Sequence, residues 1–205
     1  MRNLKDGAWL LFFGSLWGIS EVVGGGFLYN ENVAYSSVWL SAWALLVLAI
    51  ARGIINKPGS STIIAGFAVI FKMANTSPFF CHLLGIFTLG LVFDLASSFL
   101  MKKEEKRLSR SMLSGLISAY GGYAFFALFI TYIVRYEYWV TGGVSKVLNH
   151  IFVSGSFAAL AALVVVPLGY WIGVNSETIT SRRPEWTYAG TLAGIIVLWT
   201  LAKIL

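Results

Sequence analysis

Long apolar runs separated by short polar breaks dominate this chain. Seven of them, at 8–29, 37–55, 61–79, 82–100, 111–134, 151–173 and 187–204, reach the roughly 17 to 25 residues that a helix needs to cross a bilayer core. Together they fill 144 of the 205 residues. The remainder is too short for a separate soluble domain, so residues 1–205 are expected to form one integral membrane domain. The predicted fold is all-α, a polytopic transmembrane helical bundle of six to seven spans.

The first run follows Arg2 and Lys5 as a signal peptide's would. It nevertheless carries Glu21, ends in Gly24, Gly25 and Gly26, and lacks a small-residue cleavage site, so it reads as a retained helix. The least regular stretch is 72–82, KMANTSPFFCH. Pro78 cannot continue a helix without losing a backbone hydrogen bond, and Ser77 before it suits an N-cap with proline at the first helical position. The third element is therefore expected to stop near Asn75 and the fourth to start at Ser77 or Pro78. A break at membrane depth has to be buried in protein or line a wet cavity. Pro167 predicts a kink in the sixth span.

Composition supports the membrane reading. Hydrophobic residues make up 58% of the chain and charged residues 12%, the latter about half the ~25% of an ordinary soluble domain. Mean hydropathy is +0.77. This balance argues against a soluble enzyme or a disordered regulator, and the single cysteine, Cys81, cannot make an internal disulfide. The net charge of +6 does not point to nucleic acid, because the basic residues lie between apolar runs instead of forming one stripe. With the N-terminus in the cytoplasm, the inner side collects Arg2, Lys5, Arg52, Lys57, Lys102, Lys103, Lys106, Arg107, Arg110, Arg182 and Arg183, against Arg135, Lys146 and Lys203 outside. That positive-inside bias predicts a multi-pass protein of the plasma (inner) membrane with a cytoplasmic N-terminus and, for an odd number of spans, an external C-terminus.

Small residues recur at helical spacing: Gly14 and Gly18, Ser114, Ser118 and Gly122, Ser154, Ala158 and Ala162, Gly190 and Gly194. Such stripes let helices approach closely, either inside the bundle or against another subunit. Tyr35, Trp39, Tyr132, Tyr138 and Trp139 on one side and Trp171 and Trp186 on the other fit interfacial aromatic belts.

Four ionisable residues fall within or at the edge of apolar spans: Glu21, Lys72, His82 and Asp94. A charge at the bilayer centre costs about 2.5 to 3.5 kcal/mol even on lenient scales, so each should face protein, a partner or water. Glu21 and Lys72 lie roughly 20 and 17 Å along their spans at 1.5 Å per residue. They are level and opposite in charge, which suits either a structural ion pair that fixes register or a ligand site open to the outside. In the second case Lys72, Asn75 and His82 would gather around a ligand, with the N-terminal amides of the fourth helix favouring an anionic group. Asp94 sits about 9 Å from the inner edge. It is either hydrogen-bonded within the bundle or part of a polar relay with Ser97 and Ser98. Cys81 reads as a small buried hydrophobe.

The segment Gly14-Ser15-Leu16-Trp17-Gly18-Ile19-Ser20-Glu21, with Lys72, Pro78-Phe79-Phe80-Cys81-His82 and Phe93-Asp94, resembles a group of small prokaryotic membrane proteins related to the substrate-capture (S) components of energy-coupling-factor transporters. The resemblance covers roughly residues 7–100. It implies a compact bundle that binds a vitamin- or cofactor-like small molecule from outside and docks onto a coupling membrane subunit driven by two ATPases in separate chains. By resemblance, Gly14 and Gly18 would form the docking surface, and Glu21, Lys72 and His82 would line or border the cavity. The class has six spans where seven are counted here, so either the region around Pro78 is re-entrant or the last helix is an addition. It also carries alanines where this chain has Gly14 and Gly18.

No G-x-x-x-x-G-K-[ST] loop occurs, so ATP-driven work would need other chains. The absence of H-E-x-x-H, paired cysteines and G-x-S-x-G leaves no catalytic residue, metal site or cofactor to predict. The leading expectation is a substrate-binding subunit of a small-molecule uptake transporter, with the lipid bilayer, a small-molecule ligand and other transporter chains as partners and no nucleic acid. The alternatives are a stand-alone carrier in which Glu21 and Asp94 alternate in protonation, and a non-transport assembly subunit or intramembrane enzyme.

Overall fold

A computed structural model describes residues 2–76, 78–101, 108–182 and 184–204, with side chains placed except at 2–5 and 177–186. The predicted N-cap Ser77, the charges Lys102, Lys103, Lys106 and Arg107, and the side chains of Arg2, Lys5, Arg182, Arg183 and Trp186 lie outside the described residues and side chains.

The described residues form helices and no strand. Six stretches are long and apolar enough to cross a membrane, and the chain is an all-α multi-pass membrane protein. Helix α1 is Arg2–Asn30, α2 is Ser36–Ile55, α3 is Ser60–Asn75 and α4 is Phe80–Leu100. Helix α5, Leu108–Leu128, continues as a π-helical turn, Phe129–Ile133. Two short helices, α6 (Glu137–Val140) and α7 (Gly143–Asn149), lead through a second π-helical turn, His150–Ser154, into α8, Gly155–Arg182, and then α9, Pro184–Ile204. Helix α8 runs past the predicted end at 173 and passes through Pro167 without a break.

The predicted stop at Asn75 is met, and side chains explain it. The Asn75 amide side chain donates to the Phe71 carbonyl at 2.7 Å and the Thr76 hydroxyl to the Lys72 carbonyl at 2.9 Å, which also accepts from the Thr76 backbone N–H at 3.0 Å, so short polar side chains compete with the backbone for the carbonyls of the last turn. The restart differs from the expectation. Phe79 is the N-cap, extended at ψ 143°, and α4 begins at Phe80, so Pro78 stands outside the helix instead of at its first position.

Neighbouring helices close a ring in the order α1, α2, α8, α5, α4, α3 and back to α1, while α9 packs outside it against α1. Leu45, Leu48, Ile64, Phe71 and Phe93 fill its interior. The 16-residue α3 is shorter than the six helices of membrane-crossing length and than the span predicted at 61–79, because it stops at Asn75, yet it is a full member of the ring. Helix α9 is an appendage, held by Trp199, which donates to Ser15 Oγ at 3.0 Å and packs edge-on to Phe71 at 4.7 Å.

The glycine stripe of α1 faces inward, which corrects its assignment to a partner subunit. A Cβ at Gly18 would sit 2.6 Å from Phe71 Cβ, and one at Gly14 would sit 2.9 Å from the Ile64 carbonyl. Both glycines are occupied by the crossing of α1 over α3 and present no free docking face. Ser114, Ser118, Ala158 and Ala162 are likewise buried between helices, whereas Gly190 faces open space. Among the predicted belt residues, Trp39, Tyr138 and Trp171 are exposed, but Trp139 is buried against Phe126.

Candidate functional site

The predicted ionisable residues separate into two clusters at opposite ends of the ring. At the end where α2 turns into α3, Asp94 Oδ1 accepts from Arg52 Nη1 at 3.2 Å and from the Gly59 amide at 3.1 Å. Its Oδ2 accepts from the Thr62 amide at 3.2 Å and the Thr62 hydroxyl at 2.8 Å. Ser98 adds a contact at 3.3 Å. Asp94 thus caps the N-terminus of α3 from another helix, satisfying amides that the helix leaves without partners. The turn requires Gly59, whose φ of +88° strains any residue with a Cβ. Arg52, counted among the inner-side charges at the end of the second predicted span, is buried within α2 and also donates to the Lys57 carbonyl at 2.7 Å. With both carboxylate oxygens engaged by these donors, Asp94 takes the first of its two expected readings, a carboxylate hydrogen-bonded within the bundle.

The second cluster lines a cavity of about 380 Å³ at the other end of the ring. Its rim holds Tyr29, Ser36 and the α3–α4 connection, and its walls come from α1 to α5 and His150 of the π-helical turn before α8. On the α1–α3 wall, Lys72 Nζ donates to Glu21 Oε2 at 2.9 Å. Trp17 Nε1 donates to Glu21 Oε1 at 3.2 Å, fixing the carboxylate from one turn below. The two charged residues retain only 8% and 6% of their exposure. Lys72 lies in the last turn of α3, where the helix dipole favours a cation. Two of its three ammonium hydrogens have no protein partner among the described residues.

The opposite wall is aromatic. Tyr123 Oη lies 3.2 Å from Ser41 Oγ, and the His150 ring stacks on Tyr123 at 4.6 Å, with Phe126 at 5.5 Å and Trp139 at 5.0 Å. His82 sits at the mouth, edge-on to Phe79 at 5.9 Å. Glu21, Lys72 and His82 thus meet around one hollow. Asn75 does not join them, because its amide turns back onto α3 and Thr76, one full turn after Lys72, takes the cavity-facing position. Cys81 also reaches the wall and is half-buried.

The lining residues that the sequence reading missed are Trp17, Ser41, Thr76, Tyr123 and, above all, His150. The histidine falls one residue before the sixth predicted span, outside the apolar runs in which ionisable residues stand out. The π-helical turn that begins at His150 carries it into the bundle instead. Nothing local signals that Tyr123, 27 positions earlier, stacks on it.

Among the described residues no three His, Cys, Asp or Glu side chains cluster closely enough to hold a metal ion. The arrangement is chemically that of a receptor: an ion pair with spare donor and acceptor capacity faces an apolar, ring-lined wall across a space of ligand size. Compared with protein family models, curated proteins and solved structures, the chain matches none.

Proposed function

We propose that this protein is the substrate-binding membrane subunit of an uptake system for a small molecule, with the cavity facing outward and the N-terminus in the cytoplasm. The observation that carries this reading is the cavity of about 380 Å³, inside the 300 to 1,000 Å³ range of small-molecule sites, with a desolvated ion pair on its wall. A pair serving register alone has no need of an adjoining hollow. The sequence resemblance to substrate-capture components adds support, as does the six-helix ring with α9 outside it. With no phosphate-binding loop of its own, the chain would draw energy from a coupling subunit and ATPases in other chains. Asp94 is occupied at the opposite end, so a carrier alternating protons between Glu21 and Asp94 fits less well.

The test is to purify the protein from native membranes, denature it and analyse the released small molecules by mass spectrometry, beside a Gly85→Leu variant. Gly85 lines the cavity, and a Cβ there meets nothing closer than Phe126 at 3.9 Å. The larger side chain should fill the hollow without breaking the fold. A molecule retained by the parent and lost from the variant is expected. Parent protein that retains none, and that gains no thermal stability from any member of a metabolite library, would overturn the proposal.

A further inference from the structure

The cavity has two poles, and they differ in kind. One is the Glu21–Lys72 pair. The other, on the wall formed by α2, α5 and the π-helical turn before α8, holds no carboxylate or ammonium: the Tyr123–Ser41 hydrogen bond and the His150 imidazole. His150 is enclosed by Tyr123, Phe126 and Trp139 and makes ring contacts but no hydrogen bond among the described residues. A neutral imidazole offers one N–H and one acceptor nitrogen. In a space lined by aromatic rings such groups take partners wherever one is offered. His150 also opens a π-helical turn, a distortion found often at functional sites.

The formal charges lining the cavity, one carboxylate and one ammonium, cancel within the wall. A ligand bearing one net charge would bring it into this desolvated space with no counter-charge left to meet it, or would have to break the 2.9 Å pair. A zwitterion or neutral dipole can instead align against the pair, using the free hydrogens of Lys72 and the remaining lone pairs of Glu21.

We propose, resting on the capture function argued above, that the cavity selects a small molecule of zero net charge whose flat, hydrogen-bonding ring lies against Tyr123 and is read by His150. His150 is then a specificity-determining residue and the ion pair is the anchor of the ligand's polar end.

The probes are four compounds that share a 4-hydroxyphenyl ring and differ in charge: tyrosine (zwitterion), tyrosol (neutral), tyramine (cation) and 4-hydroxyphenylacetate (anion). Binding to the purified full-length protein is measured by calorimetry. The expected result is that tyrosine or tyrosol binds at least about 10-fold tighter than tyramine and 4-hydroxyphenylacetate. His150→Phe, which keeps the stacking ring, should weaken the better ligand by about 5-fold or more, and His150→Gln, which keeps a hydrogen-bonding group, should recover part of the loss. Equal or tighter binding of a singly charged probe overturns the proposal. So does a His150→Phe variant with the parent's affinity, or failure of all four probes to bind at about 1 mM. If all four fail while the purified parent still releases a bound molecule, this inference falls and the proposed function stands. If nothing is released and no member of the metabolite library stabilises the parent either, both fall.

Discussion

Removing Asp94 separates a structural cluster from a binding one. Asp94→Ala strips five donors of their acceptor at once: the Arg52 guanidinium, the Gly59 and Thr62 amides and the hydroxyls of Thr62 and Ser98. Arg52 is 2% exposed, and leaving one member of a buried ion pair without its partner costs about 3 to 5 kcal/mol. Loss of the α3 N-terminal cap adds about 1 kcal/mol. The expected loss is therefore about 4 to 6 kcal/mol, read by chemical denaturation of the purified protein in detergent with tryptophan fluorescence as the signal. Asp94→Asn keeps a cap oxygen but not the charge and should lose less. The pair Arg52→Met with Asp94→Asn removes both charges and should be more stable than Asp94→Ala despite carrying two substitutions, because neither ion is left stranded. An Asp94→Ala protein within about 1 kcal/mol of the parent would refute the view that this carboxylate holds α2, α3 and α4 together.

The glycines of α1 should divide by position. Gly18→Ala forces a Cβ to 2.6 Å from Phe71 and should destabilise by about 1 to 3 kcal/mol in the same denaturation assay. Gly24→Ala and Gly26→Ala meet nothing closer than 3.8 Å and should leave stability unchanged or raise it by up to about 1 kcal/mol each through helix propensity. Cys81, the one cysteine of the chain, is half-buried on the cavity wall. A membrane-impermeant maleimide applied to intact cells should label it from outside, and labelling only after the cells are opened would reverse the proposed orientation.

The long apolar runs were sufficient to show a membrane bundle, because a segment that crosses lipid must satisfy its own backbone hydrogen bonds and can do so only as a helix of bilayer length. The stop of α3 at Asn75 was equally legible, since Pro78 and the short polar side chains beside it act within a few residues. Depth along parallel spans also placed Glu21 level with Lys72. Rotation about each helix axis was not legible, because it is set by which faces interlock across the bundle. That rotation turned Gly14 and Gly18 onto α3 instead of a partner, drew Arg52 into the interior to meet Asp94, and swung Asn75 away while Thr76 faced the hollow. It also brought His150 onto Tyr123, through a π-helical turn that no apolar pattern records. The sequence by itself determined the spans, their order and the depth of their charges, all consequences of local hydrogen bonding and length. Only the closing of six helices into a ring decided which of those charges share a cavity and which tie the bundle together, because that depends on contacts between residues far apart in the chain.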